Sequence, residues 1–293
     1  MKYNNKVYGL PVDVSPGLFW YRKDLFEQYN IPEIETFGQL RDYGEAVRKD
    51  GKYITIITTP AGTWACNIAG MLLQSRGGNI YTEDGKIVGN NEQLEFVLTW
   101  INDMMQNDIA ADLPHLNPEM WDAMKNGDVI GWIFNISEGA NIKKNMPELS
   151  GKWSVAPMPK WDDLSTHNTG LWGGSVMAIP DQSANKEKAV EFLKWACASV
   201  EGQVEQAKVW NAVPAMNSAR NDEFFTKGDE YFSGTNIYDQ ILDTTPFYYF
   251  DWSETETVVG EQIDLMFAGS VTPAQAREAI EKNLAEKTGR EIA

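Results

Sequence analysis

Seven consecutive residues, Tyr248, Tyr249, Phe250, Asp251, Trp252, Ser253 and Glu254, set four aromatic rings beside two carboxylates and a hydroxyl. That combination suits recognition of a saccharide, whose flat C–H faces lie on indole and phenol rings while its hydroxyls need carboxylate, amide or hydroxyl partners. Trp252 is the first candidate for stacking, with Tyr249 beside it and Asp251 as hydroxyl acceptor. The plain alternative is hydrophobic packing with one exposed carboxylate, since aromatics dominate cores. The chain carries 11 Trp in 293 residues, and several fall in predicted loops. Trp172 precedes Gly173 and Gly174, which suits either close approach of a ligand or a ring filling the gap that the glycines leave. Trp64 either faces a cleft or packs at a helix start. Trp20, Trp100, Trp132, Trp153 and Trp195 read as core on periodicity.

Other chemistries find less support. The chain has no Walker or dinucleotide glycine fingerprint, no His-x-x-x-His pair and no Gly-x-Ser-x-Gly elbow. A glycoside hydrolase needs only two carboxylates across a cleft, so Asp251, Glu254, Glu256 and Glu138 keep that alternative open. A stand-alone carbohydrate-binding module is the other alternative, disfavoured by the helical content because such modules are usually β-sandwiches. His115 and His167 sit beside Pro or Asn in polar loops and read as solvated. Cys66 and Cys197 lack metal-ligand spacing and read as buried free thiols, with a single long-range bridge as the other option. No metal or cofactor is expected.

A formal charge of −17 argues against nucleic acid or an anionic membrane surface as partner, because both reward clustered Lys and Arg. No stretch reaches the ~18 unbroken apolar residues of a membrane span, and residues 1–5 lack the apolar core of an export signal.

The positioning elements are legible from caps and periodicity. Thr36 with Gln39 forms a capping box ahead of Phe37, Leu40 and Val47. Asn91 opens a helix with the stripe Leu94, Leu98, Ile101 and Met105. A third helix spans about 184–198 with Ala189, Leu193 and Ala196 inward, and a fourth runs from Thr272 and Pro273 to Gly289. Strand-like runs cover 53–59, 128–134, 153–157 and 175–179. Alternating strands and helices predict an α/β fold with a mostly parallel sheet, which places ligands at the carboxyl ends of strands. The loops 58–64 and 134–139 are the ones to watch.

Three stretches carry a family resemblance: Tyr8 to Phe26 with its Leu10-Pro11 strand and Tyr21-Arg22-Lys23-Asp24-Leu25-Phe26 segment, Gly170 to Pro180, and Asn211 to Ser218. In order and spacing the chain resembles bacterial extracellular solute-binding proteins of the sugar-importer type. The resemblance implies a type II periplasmic-binding-protein-like fold, with a near-complete C-terminal lobe (residues 10–171 and 219–293) and a partial N-terminal lobe (residues 1–9 and 172–218). It further implies a lacking signal peptide and first half of the N-terminal lobe. The apolar faces of 175–179 and 184–199 then have no partner, so they must fold back, pair with another molecule or be covered by self-association.

What the resemblance implies for function is a non-catalytic sugar carrier of an ABC importer, located outside the cytoplasm, either periplasmic or lipid-anchored. Its partners are a small sugar and the permease, and it works by hinge closure around the ligand. The family's stacking aromatic aligns with Trp252. Asn135, Ser137 and Glu138 align with a contact position after a central strand, where a capping role is the alternative. Asn211 lies in the third stretch, which lines the cleft in the family.

Overall fold

The computed structural model describes residues 2–3, 6–58 and 62–293. The chain runs through β1 (Lys2–Tyr3), β2 (Lys6–Val7), β3 (Leu10–Pro11), β4 (Asp13–Val14) and β5 (Gly17–Arg22), then α1 (Lys23–Gln28) and α2 (Phe37–Arg48). It continues with β6 (Thr55–Ile56), α3 (Gly62–Ser75), α4 (Glu92–Gln106), β7 (Ala110–Ala111), α5 (Pro118–Asn126), β8 (Gly131–Asn135), α6 (Glu138–Asn145) and β9 (Trp153–Pro157). After β10 (Val176–Met177) come α7 (Lys186–Ala198), α8 (Val200–Trp210), β11 (Val213–Pro214), α9 (Trp252–Phe267) and α10 (Pro273–Thr288).

The caps form as the side-chain chemistry dictates. Thr36 accepts from Gln39 N while the Gln39 side chain returns to the Thr36 amide, and Thr272 with Gln275 repeats the arrangement at α10. Asn91 caps α4 through Leu94 N at 3.1 Å. It is held there from another element, because the Glu281 carboxylate accepts the amides of Asn90 and Asn91. Gly289 closes α10 with φ of 70°. Helices α3, α4, α9 and α10 pack against one another and share one hydrophobic core with the strands.

The sheet departs from the mostly parallel pattern. β5 runs antiparallel to both β8 and β9, with Trp20 opposite Trp132 and Val155. Parallel pairing joins β6 with β7 and Tyr53 with Val129, stretches connected through helices, and recurs as single bridges at Thr36 with Lys160, Ile87 with Ile292 and Thr169 with Thr244. β5 instead enters straight from a Ser15-Pro16-Gly17 turn with no helix before it, so it runs against its neighbours. Every residue of β8 is buried and nearly every one of β5, which gives the sheet two covered faces.

Three chain stretches converge beside this sheet. β3 pairs with β10, β4 pairs with β11, and Pro16 bridges Leu171. Buried glutamines tie them together. Gln203 donates to Val12 O at 2.8 Å and accepts Met216 N at 3.1 Å, and Gln74 accepts Leu171 N at 2.7 Å while donating to Thr245 O. The crossing is tight enough to require glycine: a Cβ on Gly170 would lie 1.9 Å from the Met71 carbonyl oxygen, and one on Gly174 2.5 Å from that of Asp13.

Beyond the crossing, Val12, Ala196 and Cys197 form a small separate core with Leu10 and Met177. Leu193 and Ala189 of α7 are half-buried, whereas Phe192 and Trp195 stay 54% and 42% exposed. Trp195 is therefore a surface residue, not core. Of α7, Ala196 and Cys197 join the small core, while Phe192 and Trp195 pack against each other at the surface. Both cysteines are free and buried. Among the described residues no helix is long and apolar enough to cross a membrane.

Candidate functional site

A cavity of about 900 Å³ opens where the crossing stretches meet the ends of β8, α3 and α9. The elements around it deliver rings first. Trp64 comes from the first turn of α3, and Trp172 from the second crossing stretch, anchored by its amide to Ser15 O at 2.8 Å. Their indoles lie 5.5 Å apart at 24°. Phe134, at the end of β8, packs 4.3 Å from Trp172.

A second wall comes from the segment before α9 and its first turn. Tyr249 and Trp252 meet edge to face at 4.8 Å. The Tyr249 ring is 43% exposed, and its hydroxyl takes a hydrogen bond from the backbone of Gly173. Trp252 lies over Gly70 of α3, where a larger residue would sit directly against the indole.

Polar groups line the space between the walls. The Trp252 Nε1 donates to Glu256 at 2.8 Å, and Asn67 donates to the same oxygen at 3.3 Å. Glu256 stands one helical turn after Trp252 and Asn67 three residues after Trp64, so the α-helical repeat alone puts them on the cavity face. That spacing is readable in the sequence, where Glu256 stands only among the candidate hydrolase carboxylates and Asn67 is not singled out.

Asp13 accepts Ser175 N at 2.5 Å from the other rim. Glu138, at the start of α6, is 5% exposed and accepts from Asn141 at 2.8 Å. Burial raises its carboxyl to about 7, opposed by that one hydrogen bond.

The expected site residues divide by placement. Trp252, Tyr249, Trp172, Trp64, Asn135, Ser137 and Glu138 all line this one cavity. Within it the Asn135 side chain accepts from both the amide and the hydroxyl of Ser137, a turn that starts α6. Asp251 points elsewhere. It adopts a left-handed conformation with φ of 41° ahead of α9, and its carboxylate pairs with Arg290, outside the lining. Asn211 ends α8, also left-handed, and is buried with Nδ2 unpartnered beside Gly139. Its neighbour Trp210, 45% exposed, reaches the cavity instead. Of the loop 58–64, Thr59, Pro60 and Ala61 lie outside the described residues.

His115 is not solvated as the polar neighbours of its loop suggest. Its ring stacks 3.8 Å from Trp64 and 4.7 Å from Phe134 on the cavity wall. Burial without a charged partner depresses its pKa to about 4, so the ring is neutral near pH 7. Nothing in the local sequence marks it, because the packing partners come from other elements. His167 is exposed, and its Nε2 lies 2.7 Å from Met158 O.

A second cavity of about 680 Å³ runs along α4, where Phe96 and Trp100 are rimmed by Glu92, Glu95 and Asp103. It draws its lining from that one helix and Asn90 just ahead of it. The first cavity gathers groups from seven chain stretches around two aromatic walls, which is how ligand sites are built.

Comparison with known proteins bears on the family and the fold. The chain is 27% identical to the arabinooligosaccharide-binding protein of Bacillus subtilis (strain 168), over 97% of this chain and 68% of that protein. It is 24% identical to the lactose-binding protein of Rhizobium radiobacter, over 83% of this chain and 58% of that one. The chain thus spans between about half and two thirds of the length of these relatives. The galacto-N-biose-/lacto-N-biose I-binding protein of the Bifidobacterium longum ABC transporter, solved with lacto-N-biose, superposes with a TM-score of 0.79 at 21% identity, covering 100% of this chain and 74% of that one. The transporter-associated binding protein of B. animalis subsp. lactis Bl-04, solved with β-1,6-galactobiose, gives 0.84 at 19% identity, covering 99% and 76%. These likenesses show a type II periplasmic-binding-protein-like fold of mixed α/β class. The sequence pattern of one family matches residues 1–203, and the chain belongs to the bacterial extracellular solute-binding proteins.

Proposed function

We propose that the chain is the carbohydrate-binding part of an ABC importer, holding a neutral or weakly charged saccharide in the crossing cavity without transforming it. The observation that carries this reading is the meeting of two aromatic walls, Trp64 with Trp172 and Tyr249 with Trp252, across a floor of carboxyl, amide and hydroxyl groups. Rings take the apolar faces of a sugar and the polar groups take its hydroxyls. The names of the relatives support it, since each binds an oligosaccharide or lactose.

The residues proposed to touch ligand are Trp252, Tyr249, Trp172, Trp64, Glu138, Ser137 and Asn135, joined by His115, Asn67 and Glu256. Asp251 and Asn211 act behind the site, the first through Arg290 and the second by filling the space beside Gly139. Residues 10–171 and 219–293 make one lobe, and residues 1–9 and 172–218 belong to the other. The three adjacent connections between them form the hinge, and closure about it presents the loaded form to the permease. The site of action is outside the cytoplasm, periplasmic or lipid-anchored at the cell surface.

Glycoside hydrolysis is the competing reading, because Glu138 and Glu256 both line the cavity and Glu138 holds its proton near neutrality. A thermal-shift screen of neutral oligosaccharides, run beside an aryl-glycoside turnover assay, separates the two. Stabilisation with no released aglycone supports carriage. Release that is lost in Glu138→Gln supports hydrolysis.

A further inference from the structure

We infer that this cavity sorts saccharides by charge, admitting neutral and amine-bearing sugars and rejecting sugar acids, with Glu138 as the residue that sets the preference. The inference rests on the carriage reading above and adds the chemical class of the cargo. Three carboxyl groups, from Asp13, Glu138 and Glu256, face the cavity, and among the described residues its lining includes no Lys or Arg. His115, the one lining side chain that can become cationic, is neutral because its ring is pressed between Trp64 and Phe134.

The three carboxyls are not equivalent. Glu256 is taken up by Trp252 and Asn67. Asp13 and Glu138 each accept one neutral amide, from Ser175 and from Asn141, and keep unfilled lone pairs; the Asp13 donor is a fixed backbone amide, whereas the Glu138 donor is a rotatable side chain. Lys143 of α6 pairs with Asp229 and Lys208 of α8 with Glu205, while Lys144 of α6 is exposed and outside the lining. A carboxylate on the ligand would therefore meet a buried like charge or force Glu138 to hold its proton, with no counter-ion for relief. An ammonium group would supply the partner that Glu138 lacks.

The test needs probes that differ only in charge. Arabinotriose and lactose are each converted at the reducing end into the alditol, the aldonate and the 1-amino-1-deoxyalditol, and the three forms are titrated calorimetrically into the intact chain and into Glu138→Gln. The expected result is at least tenfold weaker binding of the aldonate than of the matched alditol, with the amine equal to or tighter than the alditol. In Glu138→Gln both differences should shrink at least threefold. Should Glu138→Gln fail to fold by circular dichroism, Glu138→Asp is used, and the differences should survive in it. Aldonate and alditol of equal affinity overturn the inference while leaving carriage standing. A charge preference unchanged in Glu138→Gln, or lost in Glu138→Asp, removes Glu138 from it. No binding of either parent sugar or any alditol defeats the carriage reading and this one together.

Discussion

Truncating Trp252 to Ala removes two things at once, and the geometry lets their sizes be separated. A sugar ring laid on the indole takes roughly 50 Å² of ring surface out of water on the protein side, about 1.3 kcal/mol at ~25 cal/mol per Å². The same indole fixes Glu256 through the 2.8 Å bond from Nε1. Without it the carboxylate keeps only Asn67 at 3.3 Å, and a hydrogen bond to a charged group is worth about 1–2 kcal/mol in a half-open site. The sum, about 2–3 kcal/mol, corresponds to a 30- to 100-fold loss of affinity at ~1.4 kcal/mol per decade. Trp252→Phe keeps a ring face and loses the Nε1 bond, so its loss should be about tenfold. Calorimetric titration with the best neutral oligosaccharide reads both, with circular dichroism to show that α9 is intact. Trp252→Ala binding within threefold of the parent, or Trp252→Phe as damaging as Ala, would refute the stacking argument.

The two buried titrating groups should oppose each other in pH-dependent stability. Glu138 is raised from 4.5 to about 7, so the folded state holds the extra proton and its contribution, about 3 kcal/mol, is lost as pH rises between those values. His115 is lowered from 6.5 to about 4, so folding is penalised as pH falls through that window by a similar ~3 kcal/mol. Urea titrations of Glu138→Gln should uncover stability rising from pH 4 to 6.5, and those of His115→Gln stability falling from 4.5 to 7; matching slopes in both variants would show that the sites do not titrate this way. Gly170→Ala should cost ~3 kcal/mol or more in the same assay, because its Cβ meets backbone at 1.9 Å, whereas Gly17→Ala meets the thioethers of Met71 and Met158 and should cost ~1–2 kcal/mol. The exposed Phe192, Trp195, Val209 and Trp210 should bind a hydrophobic dye and give a mass that grows with concentration in light scattering, reduced in Phe192→Lys. A constant monomer mass at tens of micromolar would contradict that.

What was legible in the sequence was local. Thr36, Asn91 and Thr272 announced their helices because a capping side chain bonds amides two or three residues away. The rings of Tyr249 and Trp252 were legible for the same reason, being neighbours in one turn. Strand direction was not, since β5 takes its polarity from the crossing turn and from partners more than a hundred residues away. His115 needed Trp64 and Phe134 to turn a polar loop into a cavity wall. Asp251 looked like a ligand carboxylate because Arg290, which engages it, lies 39 residues on. Trp195 looked buried because periodicity marks an apolar face without saying whether anything covers it.

The central claim is that the crossing cavity binds a saccharide and leaves it unchanged. Its most direct test is calorimetric titration of the intact chain with arabinotriose, lactose and β-1,6-galactobiose, followed by chromatography of the recovered sugar. The expected result is saturable one-to-one binding of at least one of them, at micromolar or weaker affinity for so open a site, with the sugar returned whole. Heats indistinguishable from dilution for all three, or recovery of cleaved sugar, would contradict it.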